Sequence, residues 1–151
     1  MIRTLLLIED DASIATMLSI ALTRLGYLVL HAPDCQAALG LATVYQESID
    51  VLLCDVLLPD GAGTAAAASV LRYCPSAWTI FTSGYPVDVL AERGLLSIGD
   101  LVDFGASYLP KPFLPLDVHQ LIQRALGAGE AAAPASVNVP LIPRGHAGYA
   151  H

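Results

Sequence analysis

Four places in this chain carry side chains suited to handling a phosphoryl group or a metal ion: Glu9-Asp10-Asp11, Asp55, Thr82-Ser83 and Lys111. Asp55 is the most demanding of them. It ends the apolar run Val51-Leu52-Leu53-Cys54, and an ionised carboxylate at the inner end of a buried segment costs several kcal/mol unless something pairs with it. If Glu9 and Asp10 join it, the carboxylates repel and raise one another's pKa values, a conflict that a divalent cation resolves. Mg2+ fits such a group, since it prefers hard oxygen ligands, keeps several waters and takes one or two carboxylates plus a phosphate. Lys111 then offers a point charge to a phosphoryl oxygen and Thr82 a neutral donor to another. Phosphoryl transfer asks for little more than in-line positioning and charge neutralisation, so Asp55 is the candidate nucleophile, forming an acyl phosphate.

These residues can meet only if the chain brings its strand ends together. Short apolar runs alternate with helix-like spacing throughout. Strands are predicted over 2–8, 27–31, 50–55, 77–82 and 107–109, and helices over 14–25, from Pro33-Asp34 to Tyr45, and over 64–73, 87–96 and 114–126. Gly26 and Gly127 close their helices, Pro115 opens the last, and Gly94 interrupts the fourth. Five such alternations imply an α/β, doubly wound, five-stranded parallel sheet with helices on both faces, joined by right-handed crossovers. Chemistry in such sheets sits beyond the carboxyl ends of the strands, at the switch point of strand order. With order 2-1-3-4-5, Glu9-Asp10, Asp55, Thr82 and Lys111 share one edge. The second strand, ending His31-Ala32-Pro33, adds nothing obvious to it.

Composition narrows the function classes. The chain has 151 residues, 55% hydrophobic and 14% charged, which suits one domain with a substantial core. A formal net charge of -7 and the lack of any Lys/Arg cluster argue against nucleic acid and anionic membrane surfaces. No apolar run approaches a membrane span, and Glu9-Asp10-Asp11 comes too early for a signal peptide, so a cytoplasmic location is expected. Cys35, Cys54 and Cys74 show no CxxC spacing and are expected to be buried, reduced thiols. Domain 1–127 is expected to end at Gly127. The Ala-, Pro- and Gly-rich segment 128–151 reads as a flexible tail, too short for an output domain, with Val137 to Ile142 as its one candidate docking stretch.

The stretches "LLLIEDD", "LLCDVLLPDGAG" with Gly63 eight positions after Asp55, "IFTSGYP" and "YLPKPF" stand in the right order on the right strand ends. Together they resemble the receiver domain of response regulators, the phosphoacceptor half of two-component signalling, over about residues 2 to 127. "TSGYP" and "ERGLL" are further similar to receivers attached to hybrid sensor kinases. The resemblance implies a flavodoxin-like fold with Glu9 and Asp10 binding Mg2+, Asp55 phosphorylated, Thr82 and Lys111 contacting the phosphoryl group, and the Leu57 carbonyl as a metal ligand. It makes Tyr108, three before Lys111, the aromatic switch residue that turns inward as Thr82 shifts, and it favours a cis Lys111-Pro112 bond. The implied donor is a sensor histidine kinase or a histidine phosphotransfer protein, with a homodimer also compatible.

Two positions depart from the common pattern. Leu57 lies two after Asp55 and Gly84 two after Thr82, so neither side chain can steer an attacking water, and slow self-dephosphorylation is expected. The chain between Thr82 and Lys111 is also long, which makes the region 87–104 the place to expect irregularity. Other readings compete less well. An aspartyl-phosphate hydrolase of the haloacid dehalogenase kind needs an Asp where Leu57 stands, and a flavodoxin-like cofactor binder needs a phosphate loop where Glu9-Asp10-Asp11 would repel phosphate. A receiver-like interaction module that is never phosphorylated is the remaining rival. Asp11 reads as a helix cap, His119 as a surface residue and Trp78 as packing.

Overall fold

A computed structural model describes residues 2–127; the expected tail, 128–151 with its candidate docking stretch, lies outside the described residues. The chain runs β1 (Thr4–Ile8), α1 (Ala12–Arg24), β2 (Leu28–Ala32), α2 (Cys35–Val44), β3 (Val51–Asp55), β4 (Leu57–Leu58), β5 (Gly61–Ala62), α3 (Gly63–Tyr73), β6 (Trp78–Ser83), α4 (Val87–Glu92), α5 (Ile98–Phe104), β7 (Ser107–Pro110) and α6 (Pro115–Leu126). The main sheet has five parallel strands in the order β2-β1-β3-β6-β7, which is 2-1-3-4-5 counting its own strands. Strand order reverses between β1 and β3, so the switch point falls where Glu9 and Asp55 emerge.

Continuous apolar strands bury both faces of the sheet, and their period of two splits the core. On one face Leu5, Leu7, Val51, Leu53 and Ile80 pack with Ala15, Leu18 and Leu22 of α1 and Val118, Leu121 and Ile122 of α6. On the other, Leu6, Ile8, Leu52, Cys54, Phe81 and Tyr108 pack with Ala38 and Ala42 of α2, Ala66, Ala67 and Val70 of α3, Leu90 of α4 and Leu101 of α5. Alanines dominate on α2 and α3, so these helices approach the sheet and each other closely.

Local signals set most helix ends. Asp11 caps α1, its side chain accepting from Ser13 N and Ile14 N, and Pro115 opens α6. The fourth helix differs from expectation. α4 stops at Glu92, Gly94 turns left-handed at φ 71°, and Leu96 tucks into the core before a second helix starts. Ser97 and Asp100 exchange hydrogen bonds as a capping box for α5, which Gly105 closes at φ 63°. The extra length between Thr82 and Lys111 is thus a pair of short helices. Two further expectations change: Cys35 is only half-buried while Cys54 and Cys74 are buried, and Trp78 both packs and donates from Nε1 to Gly105 O at 3.0 Å.

Glu47, exposed in the α2–β3 connection, sits at φ 60°, a conformation that disfavours any side chain with a Cβ. Replacing it with glycine is expected to raise unfolding stability by about 0.5–1 kcal/mol, a shift that a urea titration resolves. An unchanged or lower midpoint would show that the connection relaxes around Glu47 without strain.

Candidate functional site

The period of two that splits the core also decides which polar groups meet. Asp55 lies on the Leu53 face of β3 and is paired in register with Thr82, which lies on the Ile80 face of β6. The ladder continues one residue past β1 and β7, since Glu9 N donates to Ala32 O at 3.0 Å and Lys111 N to Ser83 O at 2.8 Å. Glu9 and Lys111 therefore keep the alternation of Leu7 and Leu109 and join Asp55 on the face covered by α1 and α6. Ser83 belongs to the opposite face, where its Oγ accepts from Tyr85 N, so register selects Thr82 as the hydroxyl beside Asp55.

Lys111 Nζ lies 2.8 Å from Asp55 Oδ2 and 3.0 Å from Glu9 Oε1, bridging two carboxylates that are only 6% and 3% exposed. Each carboxylate has a second anchor. Leu57 N donates to Asp55 Oδ1 at 3.1 Å, and Asp11 N donates to Glu9 Oε2 at 3.1 Å. Asp10 is exposed, yet one oxygen from each of Glu9, Asp10 and Asp55 falls within 4.8 Å of the others. Three hard oxygen donors, one of them open to solvent, fit a small divalent cation that keeps some of its waters.

Burial pushes the Glu9 carboxyl above the usual glutamate range, helped by the Asp55 charge and opposed by the Asp11 amide and Lys111. Burial alone would lower Lys111, but its bond to and attraction for Asp55, and then for Glu9, leave it raised. Between the ordinary glutamate value and the raised one the folded metal-free chain holds a Glu9 proton that the unfolded chain has released, so stability rises as pH falls from neutral through the raised Glu9 value. Lys111 contributes fully below the ordinary lysine range and loses its contribution only as pH rises through its own raised value. Lys111→Met, which leaves two nearly buried carboxylates without a counter-charge, is expected to cost the metal-free protein about 2 kcal/mol near neutral pH. The deficit should shrink on acidification, as Glu9 takes up its proton. Urea titrations at neutral and mildly acidic pH check both points, and a pH-independent deficit would mean that lost packing of the lysine stem is responsible.

The other expected residues have definite places. Tyr108 is 1% exposed on the opposite face, with its hydroxyl donating to Ser83 O at 3.2 Å and to Tyr85 O. Burial pushes that phenol up to about 12, so it stays a donor. The aromatic ring is thus already inward, tying β7 to the segment that follows Thr82. Leu57 turns its side chain outward and uses its amide on Asp55. The Lys111-Pro112 bond is cis.

Some contributors had no clear sequence signal. His31, which looked uninformative, bonds from Nε2 to the Glu9 carbonyl at 2.8 Å and braces the β1 end of the site. His119 is half-buried, its Nδ1 2.7 Å from the Tyr27 hydroxyl at the far end of α1, away from the site. The β4–β5 hairpin was unforeseen, although Pro59-Asp60-Gly61 is a turn signature that points to it. Among the described residues no helix is long and apolar enough to cross a membrane.

Comparison with known proteins agrees with this geometry. The family model for the response regulator receiver domain matches residues 5–123. The uncharacterized transcriptional regulatory protein YrkP of Bacillus subtilis is 30% identical over 115 residues, covering 76% of this chain and 46% of that protein. Among solved structures, the receiver domain of the hybrid histidine kinase CckA is similar at 26% identity and TM-score 0.64, over 80% of this chain and 95% of that one. A Burkholderia pseudomallei response regulator, solved with a phosphorylated aspartic acid, a calcium ion and citrate, shares the fold at TM-score 0.69 and 23% identity, over 96% of this chain and 73% of that one. The chain spans about half the length of the first curated relatives it matches. With its parallel five-stranded sheet and its acidic site at the switch point, the chain belongs to the response regulator receiver domain family of two-component signalling.

Proposed function

We propose that Asp55 is the phosphoacceptor of this receiver, taking a phosphoryl group from the phosphohistidine of a sensor kinase or histidine phosphotransfer protein. The observation that carries this reading is the Lys111 bridge. Its ammonium reaches both Glu9 and Asp55, while the Leu57 amide fixes the other Asp55 oxygen. Glu9, Asp10, Asp55 and the Leu57 carbonyl are the groups that would hold Mg2+, which supplies charge neutralisation for the incoming phosphoryl oxygens.

In the transfer, an Asp55 carboxylate oxygen forms a bond to phosphorus as the phosphorus–nitrogen bond to the donor imidazole breaks, and the imidazole leaves neutral once its nitrogen is protonated. Lys111 swings from its carboxylate bridge to a phosphoryl oxygen, and the Thr82 hydroxyl, in register with Asp55, donates to another. A shift of Thr82 toward that oxygen acts on Ser83 and Tyr85, whose carbonyls hold the Tyr108 hydroxyl. The phosphoryl group thus biases a two-state arrangement of the face carrying β6, α4, α5 and β7. Leu57 and Gly84 provide no side chain to place a water, so the acyl phosphate is long-lived and the domain acts as acceptor and switch, not as a phosphatase.

The test is intact mass after incubation with acetyl phosphate, with and without Mg2+. One Mg2+-dependent phosphoryl addition per chain is expected, decaying over minutes or longer once the donor is removed. No addition to a demonstrably folded protein would replace this reading with that of an interaction module independent of phosphorylation.

A further inference from the structure

Asp60 stands at the exposed tip of the β4–β5 hairpin, yet both oxygens of its carboxylate are engaged on a different element. Oδ1 accepts from Cys35 N at 2.9 Å and Oδ2 from Gln36 N at 3.1 Å. These are among the first amides of α2, which have no partner within the helix and favour a carboxylate through the helix dipole. The Cys35 amide accordingly holds the Asp60 carboxyl below its usual range. α2 already has a local cap, however, because Asp34 accepts from Ala37 N at 2.8 Å.

The hairpin has the greater need of this contact. It consists of two residue pairs, Leu57 with Ala62 and Leu58 with Gly61, and a hairpin that short is not stable alone. Even so, it must hold the Leu57 amide 3.1 Å from Asp55 Oδ1. A second contact follows the same path, since Cys35 Sγ lies against the Gly61-Ala62 backbone on the side facing α2.

We infer that Asp60 is a positioning residue that clamps the hairpin to the start of α2, fixing the Leu57 amide and carbonyl and so orienting the Asp55 carboxylate and the cation it would share. This rests on the reading of Asp55 as acceptor and cation ligand. A residue that merely caps a helix would protect α2 alone, whereas a clamp governs the site through a segment that α2 does not contain.

Three variants separate the two roles: Asp60→Ala, Asp60→Asn and Asp34→Ala. Calorimetric titration with Mg2+ alone is expected to show about tenfold weaker binding for Asp60→Ala, the loss typical of a residue that orients a metal ligand. Asp60→Asn keeps one acceptor and should recover most of that affinity. Asp34→Ala removes a cap from the same helix without touching the hairpin, so it should lower the melting temperature while leaving Mg2+ affinity within about twofold of wild type. Wild-type affinity in Asp60→Ala, or equal weakening in Asp34→Ala, would overturn the inference. Should wild type bind no Mg2+, the acceptor reading itself fails, and amide hydrogen exchange at Leu57 decides the clamp separately. Protection lost in Asp60→Ala but kept in Asp34→Ala supports it, and protection unchanged in Asp60→Ala overturns it.

Discussion

Asp55→Asn is expected to reduce Mg2+-dependent phosphoryl addition at least about a thousandfold while leaving the metal-free domain within about 1 kcal/mol of wild-type stability. The two halves of this expectation have different causes. A carboxamide oxygen carries no negative charge to attack phosphorus, so the acceptor is lost outright. Stability is buffered because the wild-type site sets Glu9 and Asp55 against one ammonium, and the Lys111–Glu9 pair, 3.0 Å apart in the wild type, does not depend on the Asp55 charge. The carboxamide oxygen can still accept one of the two bonds now made by Leu57 N and Lys111 Nζ. Removing the Asp55 charge also removes part of what raises Glu9, which offsets the lost ion pair.

The same substitution should abolish most stabilisation by Mg2+. Ligand at a hundred times its dissociation constant stabilises a folded protein by about 2.7 kcal/mol, and the variant should show only a fraction of that in thermal melts with and without the cation. Intact mass and paired melts therefore read acceptor and cation site independently. If Asp55→Asn still takes a phosphoryl group at the wild-type rate, another carboxylate of the cluster, Glu9 or the exposed Asp10, is the nucleophile and the proposed chemistry is wrong.

The strand ends could be read from the sequence because each rests on a strong local pattern. Short apolar runs bounded by turn residues read as buried strands, and a charge at the end of such a run needs an external reason, which is how Glu9 and Asp55 stood out, with Lys111 just past the shorter strand 107–109. Register supplied what the pattern could not. The choice between Thr82 and Ser83 depends on the pairing of Thr82 with Asp55, a relation between strands distant in sequence. The β4–β5 hairpin escaped because two-residue strands have no period to detect, and its place is set by the Asp60 bonds to α2. His31 escaped for a similar reason, since its role is a bond to a backbone carbonyl on a neighbouring strand. The break between α4 and α5 had local signals in Gly94, Ser97 and Asp100. Gly99 inside the second helix weakens the propensity there, and burial of Leu101 compensates for it.

Gly63→Ala is expected to cost about 3 kcal/mol, the upper end for overpacking, and to lower the melting temperature by roughly 10 °C. The reason is close approach. A Cβ on Gly63 would lie 2.1 Å from the Asp55 carbonyl oxygen and 2.8 Å from Val56 Cα, and both neighbours are backbone that cannot rotate away. Gly63 N also donates to Val56 O at 2.7 Å, holding the start of α3 against the end of β3. Relief can come only by moving α3 outward or by shifting the Asp55–Val56 peptide. The second route disturbs the acceptor itself, and a misplacement of about 1 Å costs on the order of a hundredfold in rate, so phosphorylation of the folded variant should fall along with its stability. Gly40 provides the internal control. It lies exposed within α2 with nothing near its would-be Cβ, so Gly40→Ala should stabilise the domain by up to about 1 kcal/mol through helix propensity. Opposite signs for the same substitution would tie the requirement at Gly63 to the space beneath α3. A Gly63→Ala variant with wild-type stability and phosphorylation would show that α3 can retreat from β3 at no cost, and that Gly63 does not hold Asp55 in place.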